Sequence, residues 1–237
     1  MTPKSISSPD RLIFALDVST AERAKALIDE LGDAVTFYKL GLELMTSGAY
    51  FELLDYLTAR DKKVFADLKL FDVPATVASA VRGLNDRGIH FATVHGNQAV
   101  MEAAAEAKRD VRILAVTVLT SLDRGDLDDL GFACNVEDLV LSRARRALES
   151  GCDGVISSGL EAPRLREHID HKLLVVTPGI RPVDNRGGDD QKRVVDVAQA
   201  FANGADHIVV GRPIRTAQSP RAAAEAIQAT IAGVFAP

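Results

Sequence analysis

The chain is short of cysteine, of long apolar runs and of positive charge, and each shortage removes a class of protein. Only Cys134 and Cys152 occur among 237 residues. They are too few for a disulfide scaffold and lie in no metal-ligand spacing, so they read as buried or incidental thiols of a reducing compartment. No run approaches the roughly 18 apolar residues that span a membrane. The opening Met1-Thr-Pro-Lys-Ser-Ile-Ser-Ser-Pro9 also lacks the apolar core of a signal peptide. The expectation is a cytoplasmic protein with no membrane partner. A formal charge of −5 argues against nucleic acid as the general partner, so an anionic ligand must be held by a local group of donors. No G-x-G-x-x-G follows the first apolar run, which leaves a dinucleotide-binding open sheet without its main support.

What is present is a soluble composition, 47% apolar and 26% charged, and a repeated pattern of short β-branched runs alternating with helical periodicity. The expected strands are 12–18, 35–41, 63–70, 91–95, 112–119, 154–158, 173–178 and 207–211. Between them, Ser19-Thr-Ala-Glu22 reads as a capping box, helices are expected near 47–60, 76–87 and 98–108, and Asn135 caps a helix to Ser150. A polar excursion runs from Leu122 to Cys134, and Ser219-Pro220 opens the last helix. Gly88, Gly151 and Gly204 each precede a strand and read as helix stops. Eight buried-type strands alternating with helices describe a parallel sheet, and eight is the number that closes a barrel. With no linker or composition break, residues 1–237 are expected to form a single-domain α/β (β/α)8 barrel, of the TIM type.

The stretch Val64-Phe-Ala-Asp67-Leu-Lys69-Leu-Phe-Asp72-Val-Pro-Ala-Thr76 places two carboxylates and an ammonium within six residues. The strand period of two puts Phe65, Asp67 and Lys69 on one face and Val64, Ala66, Leu68 and Leu70 on the other. In a barrel the C-terminal strand ends share one mouth, where Asp17, Lys39, Asp67, Lys69, His95 and Thr120 are expected to meet. Each has a plainer role open to it: a cap, a snorkelling lysine, a structural ion pair, a core histidine or a turn residue. Together they form a charge cluster that is costly without a use. After the seventh and eighth strands, Gly211 and Arg212 read as phosphate binders, because glycine amides approach an anion closely and a guanidinium matches its oxygens. The segment 180–191 reads as a lid, with a plain surface loop as the alternative.

These residues resemble a known family. Ala15-Leu-Asp17, Lys39 ending the second strand, Asp67-x-Lys69-x-x-Asp72-x-Pro-x-Thr76, Leu119-Thr120-Ser121, Thr177-Pro178-Gly-Ile-Arg181, Asp190-Gln191 and Gly211-Arg212-Pro-Ile214 together resemble the orotidine 5′-phosphate decarboxylases of the short bacterial type. After His95 that family often has alanine followed by glycines, whereas here Gly96-Asn-Gln-Ala-Val100 follows. The resemblance implies decarboxylation of orotidine 5′-monophosphate to uridine 5′-monophosphate with no cofactor and no metal. It makes Lys69 the proton donor to C6 of the pyrimidine, in a charge network with Asp67, Lys39 and Asp72. Asp17 and Lys39 would hold ribose hydroxyls, Thr120 the pyrimidine edge, and Arg181, Gly211 and Arg212 the phosphate. Pro178 joins the substrate-binding set, and Gln191 would bridge lid, phosphate and base. Asp72 and Thr76 would reach across a homodimer interface into the partner's site.

Three other readings of the same residues stand beside it. A sugar-phosphate decarboxylase of the 3-keto-L-gulonate 6-phosphate type shares the Asp-x-Lys-x-x-Asp core, but uses Mg2+ and has an acid where this chain has Lys39. An isomerase or aldolase would use Lys69 as a Schiff-base lysine. A sensor of phosphorylated ligands would keep the pocket without turnover.

Overall fold

The computed structural model describes residues 4–181 and 194–236. Eight parallel strands form a closed barrel in chain order. They are β1 (Leu12–Ala15), β2 (Phe37–Leu40), β3 (Lys63–Leu70), β4 (Ile89–His95), β5 (Arg112–Val116), β6 (Gly154–Ile156), β7 (Leu174–Thr177) and β8 (His207–Val210). Pairing of Ile13 with Phe37 on one side and with Val209 on the other closes the ring. The expected α/β barrel is therefore the fold found.

Alternation along the strands sorts the core into two layers. Ile13, Phe37, Phe65, Phe91, Leu114, Val176 and Val209 fill the barrel interior, while Leu12, Phe14, Tyr38, Val64, Ala66 and Ile208 face the helices. The floor is aromatic and charged. Phe91 packs edge-on to His207 at 5.3 Å, and His207 Nδ1 donates to the Asp10 carbonyl at 2.8 Å. Side chains fill the barrel interior, and the cavity among the described residues opens at the C-terminal strand ends.

Several boundaries differ from the sequence expectation, for local reasons. The first helix, Ala21–Leu31, is capped by Thr20, whose Oγ1 accepts from Arg23 N–H, one residue later than the expected box. The helix expected over 47–60 is Tyr50–Thr58, and a further short helix, Leu42–Thr46, precedes it across Gly48, which has φ +82°. Phe51, Leu54 and Leu57 stand at helical spacing along Tyr50–Thr58; Leu54 and Leu57 are buried, but Phe51 is exposed. Helix Pro74–Leu84 stops before Gly88 because Asn85 turns out of it, donating to the Ala107 carbonyl and accepting from Arg109 N–H. Gly151 and Gly204 do sit just past helix ends, where the next residues, Cys152 and Ala205, donate back to Ala147 and Ala200 carbonyls. The polar excursion holds a short helix, Arg124–Asp129, closed by a capping box between Asp123 and Asp126. β5 ends at Val116, three residues early, where the Thr117 hydroxyl donates to the Ile156 carbonyl at 2.7 Å.

β3 is the irregular strand. Between Ala66 and Leu70 it runs four residues while β4 runs two, from Ala92 to Val94. The surplus is a bulge, and within it Lys69 takes φ +47°.

Candidate active site

At the C-terminal ends of the strands lies a cavity of about 540 Å3. Its inner side is an alternating line of charges drawn from three consecutive strands. Asp17, just past β1, accepts from Lys39 Nζ at 2.9 Å. Lys39, on β2, also faces Asp67 Oδ2 at 3.4 Å, and that same oxygen accepts from Lys69 Nζ at 2.9 Å. The second oxygen of Asp67 accepts from the Thr93 hydroxyl at 2.9 Å. Asp67 and Lys39 are almost fully enclosed, whereas the Lys69 side chain retains 34% exposure, so of the two ammoniums it is the one open to the cavity.

Electrostatics keep the two enclosed members, Asp67 and Lys39, ionised. Burial opposes the Asp67 charge, but the ammoniums of Lys39 and Lys69 and the hydrogen bonds from Lys69 and Thr93 outweigh it and hold the carboxyl below its ordinary range. Burial also opposes the charge on Lys39, and Asp67 and Asp17 reverse that effect, holding its ammonium above the ordinary lysine value. Gly41 makes room for the pair. A Cβ there would lie 3.2 Å from Lys39 Nζ and 3.3 Å from Asp17 Oδ1.

The opposite rim is cationic. Pro178, Gly179 and Arg181 follow β7, and Gly211, Arg212 and Arg215 follow β8. Burial and the nearby charge of Arg212 both lower the Arg181 pKa. An anion bound beside Arg181 relieves the repulsion that Arg212 exerts on it. Phe65, Val116, Val118, Ile156 and Val209 form apolar walls between the two poles.

Of the expected site residues, the cavity brings together Asp17, Lys39, Asp67, Lys69, Thr120, Pro178, Arg181, Gly211 and Arg212. It does not include His95, whose ring packs on Phe71 at 4.4 Å and whose Nδ1 is buried with no hydrogen-bond partner among the described residues. Asp72 and Thr76 do not line it either. They belong to the run Phe71–Thr76, exposed at every position, with Asp72 Oδ1 accepting from Val73 N–H. Gln191 and most of the expected lid fall outside the described residues. Gly96, the departure noted after His95, fits a crowded place, since a Cβ would lie 2.5 Å from the Val116 carbonyl.

Three participants escape the sequence reading. Glu43 lines the cavity from the helix after β2. Arg215 lines it too, and its Nη1 donates to the Asp17 carbonyl, tying the end of β8 to the end of β1. Thr93 is wholly buried beneath the charges. Period-two alternation puts Phe91, Thr93 and His95 on the inner face of β4, and that signal could have found Thr93.

A closed parallel barrel with paired acids and ammoniums at one side of its mouth and arginines at the other is the architecture of a barrel enzyme for anionic substrates. The comparisons narrow that class. Residues 10–227 match the family described as orotidine 5′-phosphate decarboxylase / HUMPS. A protein of Methylococcus capsulatus named orotidine 5′-phosphate decarboxylase is 66% identical over 100% of this chain and 98% of its own length. One of the same name from Stenotrophomonas maltophilia is 52% identical over 99% and 98%. The crystal structure of the Lactobacillus acidophilus enzyme superposes with TM-score 0.80 at 35% identity, covering 93% of this chain and 98% of that one. The chain belongs to the orotidine 5′-phosphate decarboxylase / HUMPS family.

Proposed function

We propose that this chain decarboxylates orotidine 5′-monophosphate to uridine 5′-monophosphate without a cofactor or metal, and that the whole chain acts as one domain in the cytoplasm. The observation that carries the reading is the line Asp17–Lys39–Asp67–Lys69, held by contacts of 2.9, 3.4 and 2.9 Å, facing arginines across one cavity. Asp17 and Lys39 take the ribose hydroxyls and Thr120 the pyrimidine edge. Arg181, Gly211 and Arg212 receive the phosphate, Pro178 joins the substrate-binding set, and Gln191, outside the described residues, bridges phosphate and base.

The chemistry follows from charge. The bond from C6 to the carboxylate breaks, the carboxylate leaves as CO2, and the electron pair stays on C6, where no adjacent carbonyl can delocalise it. A fixed ammonium at that point stabilises the carbanion, and the Lys69 Nζ proton then passes to C6. The resulting neutral amine regains a proton from water after product leaves. Asp67 holds the Lys69 ammonium aimed until that moment, and Lys39 keeps Asp67 ionised. Phosphate contacts far from C6 contribute binding energy that holds the ring in place.

A second copy of the chain completes the site in this reading. Phe71 and Val73 are 63% and 62% exposed and flank Asp72. Apolar side chains in that position fit a protomer contact that carries Asp72 and Thr76 into the neighbouring cavity. Lys39 favours this reaction over a metal-assisted sugar-phosphate decarboxylation, because its ammonium occupies the position where that reaction needs an acid.

The test is to follow the ultraviolet absorbance of orotidine 5′-monophosphate with purified protein in excess EDTA. Steady conversion to uridine 5′-monophosphate is expected. An unchanged spectrum, or conversion only after Mg2+ is restored, removes the proposal.

A further inference from the structure

Thr93 lies on β4 with no exposed surface and does not line the cavity. Its single oxygen nevertheless joins the two charged residues at the centre of the site. It accepts from the Lys69 backbone N–H at 2.9 Å and donates to Asp67 Oδ1 at 2.9 Å. The direction of both bonds is forced. A backbone amide can only donate and an ionised carboxylate can only accept, so the hydroxyl proton has one place to go.

We infer that Thr93 is a positioning residue for the proton donor, fixing the Lys69 backbone and the Asp67 carboxylate together so that the Lys69 ammonium is held at one point in the cavity. This rests on the reading of Lys69 as donor. Three observations support it. The β3 bulge leaves the Lys69 amide outside the regular ladder, and Thr93 Oγ1 supplies its acceptor. Lys69 has φ +47°, a strained backbone for a residue with a Cβ, which persists only where neighbours determine it. Finally, Asp67 must present Oδ2 to Lys69 at 2.9 Å and to Lys39 at 3.4 Å at once, and a bond to Oδ1 fixes the carboxylate plane that allows this.

The charged and titratable groups around Asp67 are Lys39 from β2, Lys69 from its own strand and the Tyr50 phenol from helix Tyr50–Thr58, with Asp17 acting through Lys39. Without the Thr93 hydroxyl, Asp67 loses one donor and its carboxyl becomes easier to protonate. The acid limb of the kcat profile should then move to higher pH, a change that loss of packing alone does not produce.

Thr93→Val keeps the shape and deletes the oxygen, while Thr93→Ser keeps the oxygen. With orotidine 5′-monophosphate as substrate, Thr93→Val should lower kcat by about 10- to 100-fold, with the acid limb displaced upward. Uridine 5′-monophosphate, which lacks the reacting carboxylate, should bind Thr93→Val within about threefold of wild type, and Thr93→Ser should recover kcat to within about threefold. A valine variant within about twofold of wild-type kcat overturns the inference, as does an equal loss of product affinity or a serine variant as impaired as the valine one. If Thr93→Val does not fold, amide hydrogen exchange on the wild-type full chain decides. The Lys69 N–H should exchange as slowly as the paired amides of β4, and rapid exchange refutes the bridge. That readout needs no turnover. An inactive wild type with a protected Lys69 amide removes only the functional reading, and a fast-exchanging amide in an active one removes only the role of Thr93.

Discussion

At the scale of single residues, the site sets two lysines in contrast. Lys39 is enclosed and touches two carboxylates, so its proton is held firmly, while Lys69 meets one carboxylate and faces the cavity. A proton donor must be able to give up what a structural cation keeps, and in the proposed reaction this difference supports giving the donor's part to Lys69. Lys69→Ala is expected to lower kcat by about four orders of magnitude or more while leaving affinity for uridine 5′-monophosphate within several-fold. Stopped-flow or steady-state turnover with parallel titration calorimetry checks both halves, and a variant that still turns over at near wild-type rate removes the assignment. The pH window of the pair follows from the directions of the shifts. Asp67 lies below the ordinary carboxylate value, so its stabilising contribution is present above that value and is lost as pH falls through its own pKa. Lys39 lies above the ordinary lysine value, so its contribution is present below that value and is lost as pH rises through its raised pKa.

At the scale of elements, the ends of the strands matter more than their lengths. β4 and β5 hand the chain to two turns, after His95 and after Val116, that pass against each other. Gly96 stands at the crossing, with the space for its Cβ taken by the Val116 carbonyl at 2.5 Å and Arg143 Cδ at 3.0 Å. The Arg143 guanidinium donates to the Thr117 carbonyl in the same place. Because a carbonyl of the barrel wall cannot yield as a side chain does, Gly96→Ala should cost about 1–3 kcal/mol, read as a drop of about 2–4 °C in Tm per kcal/mol. An unchanged melting temperature would show that the β5 turn moves freely. The period of two along β3 and β4 announced which side chains face inward, and Phe65, Asp67, Phe91 and Thr93 obey it. The bulge that rotates Lys69 was not readable there, because it arises from the mismatch with β4 and leaves no mark in β3's own alternation.

At the scale of the whole molecule, the barrel divides its labour between two ends. The lower end holds stability. His207 is buried among Arg11, Asp10 and Asp206, and burial lowers its pKa from 6.5 to about 4. A histidine that stays neutral in the folded state but protonates when unfolded makes stability fall as pH drops from 6.5 toward 4. The shift corresponds to about 3 kcal/mol, so the difference in Tm between wild type and His207→Gln should change by about 6–12 °C across that interval. Parallel melting curves for the two proteins would remove His207 from the acid response. The upper end holds the chemistry, and in the dimeric reading it needs a neighbour. Mixing inactive Lys69→Ala with Asp72→Ala protomers should restore about a quarter of wild-type activity, because each hybrid carries one site with both groups intact. No recovery after subunit exchange would place Asp72 in its own protomer's site or outside the chemistry.

Sequence by itself determined the eight-stranded α/β succession, the inward and outward faces of the strands, and the residues at the strand ends. Those are properties of local periodicity and of residue chemistry, which the order of amino acids states directly. It also contained the Asp67-x-Lys69-x-x-Asp72 run, whose charges are too costly to be scattered by accident. Only the tertiary structure decided that Asp67 takes two ammoniums on one oxygen, that Thr93 from the next strand braces it, and that Arg215 reaches from β8 to the end of β1. It likewise turned His95 aside onto Phe71 and left Asp72 and Thr76 facing outward. Such contacts join residues far apart in the chain, and barrel closure with its register fixes them, so no local pattern could have declared them in advance.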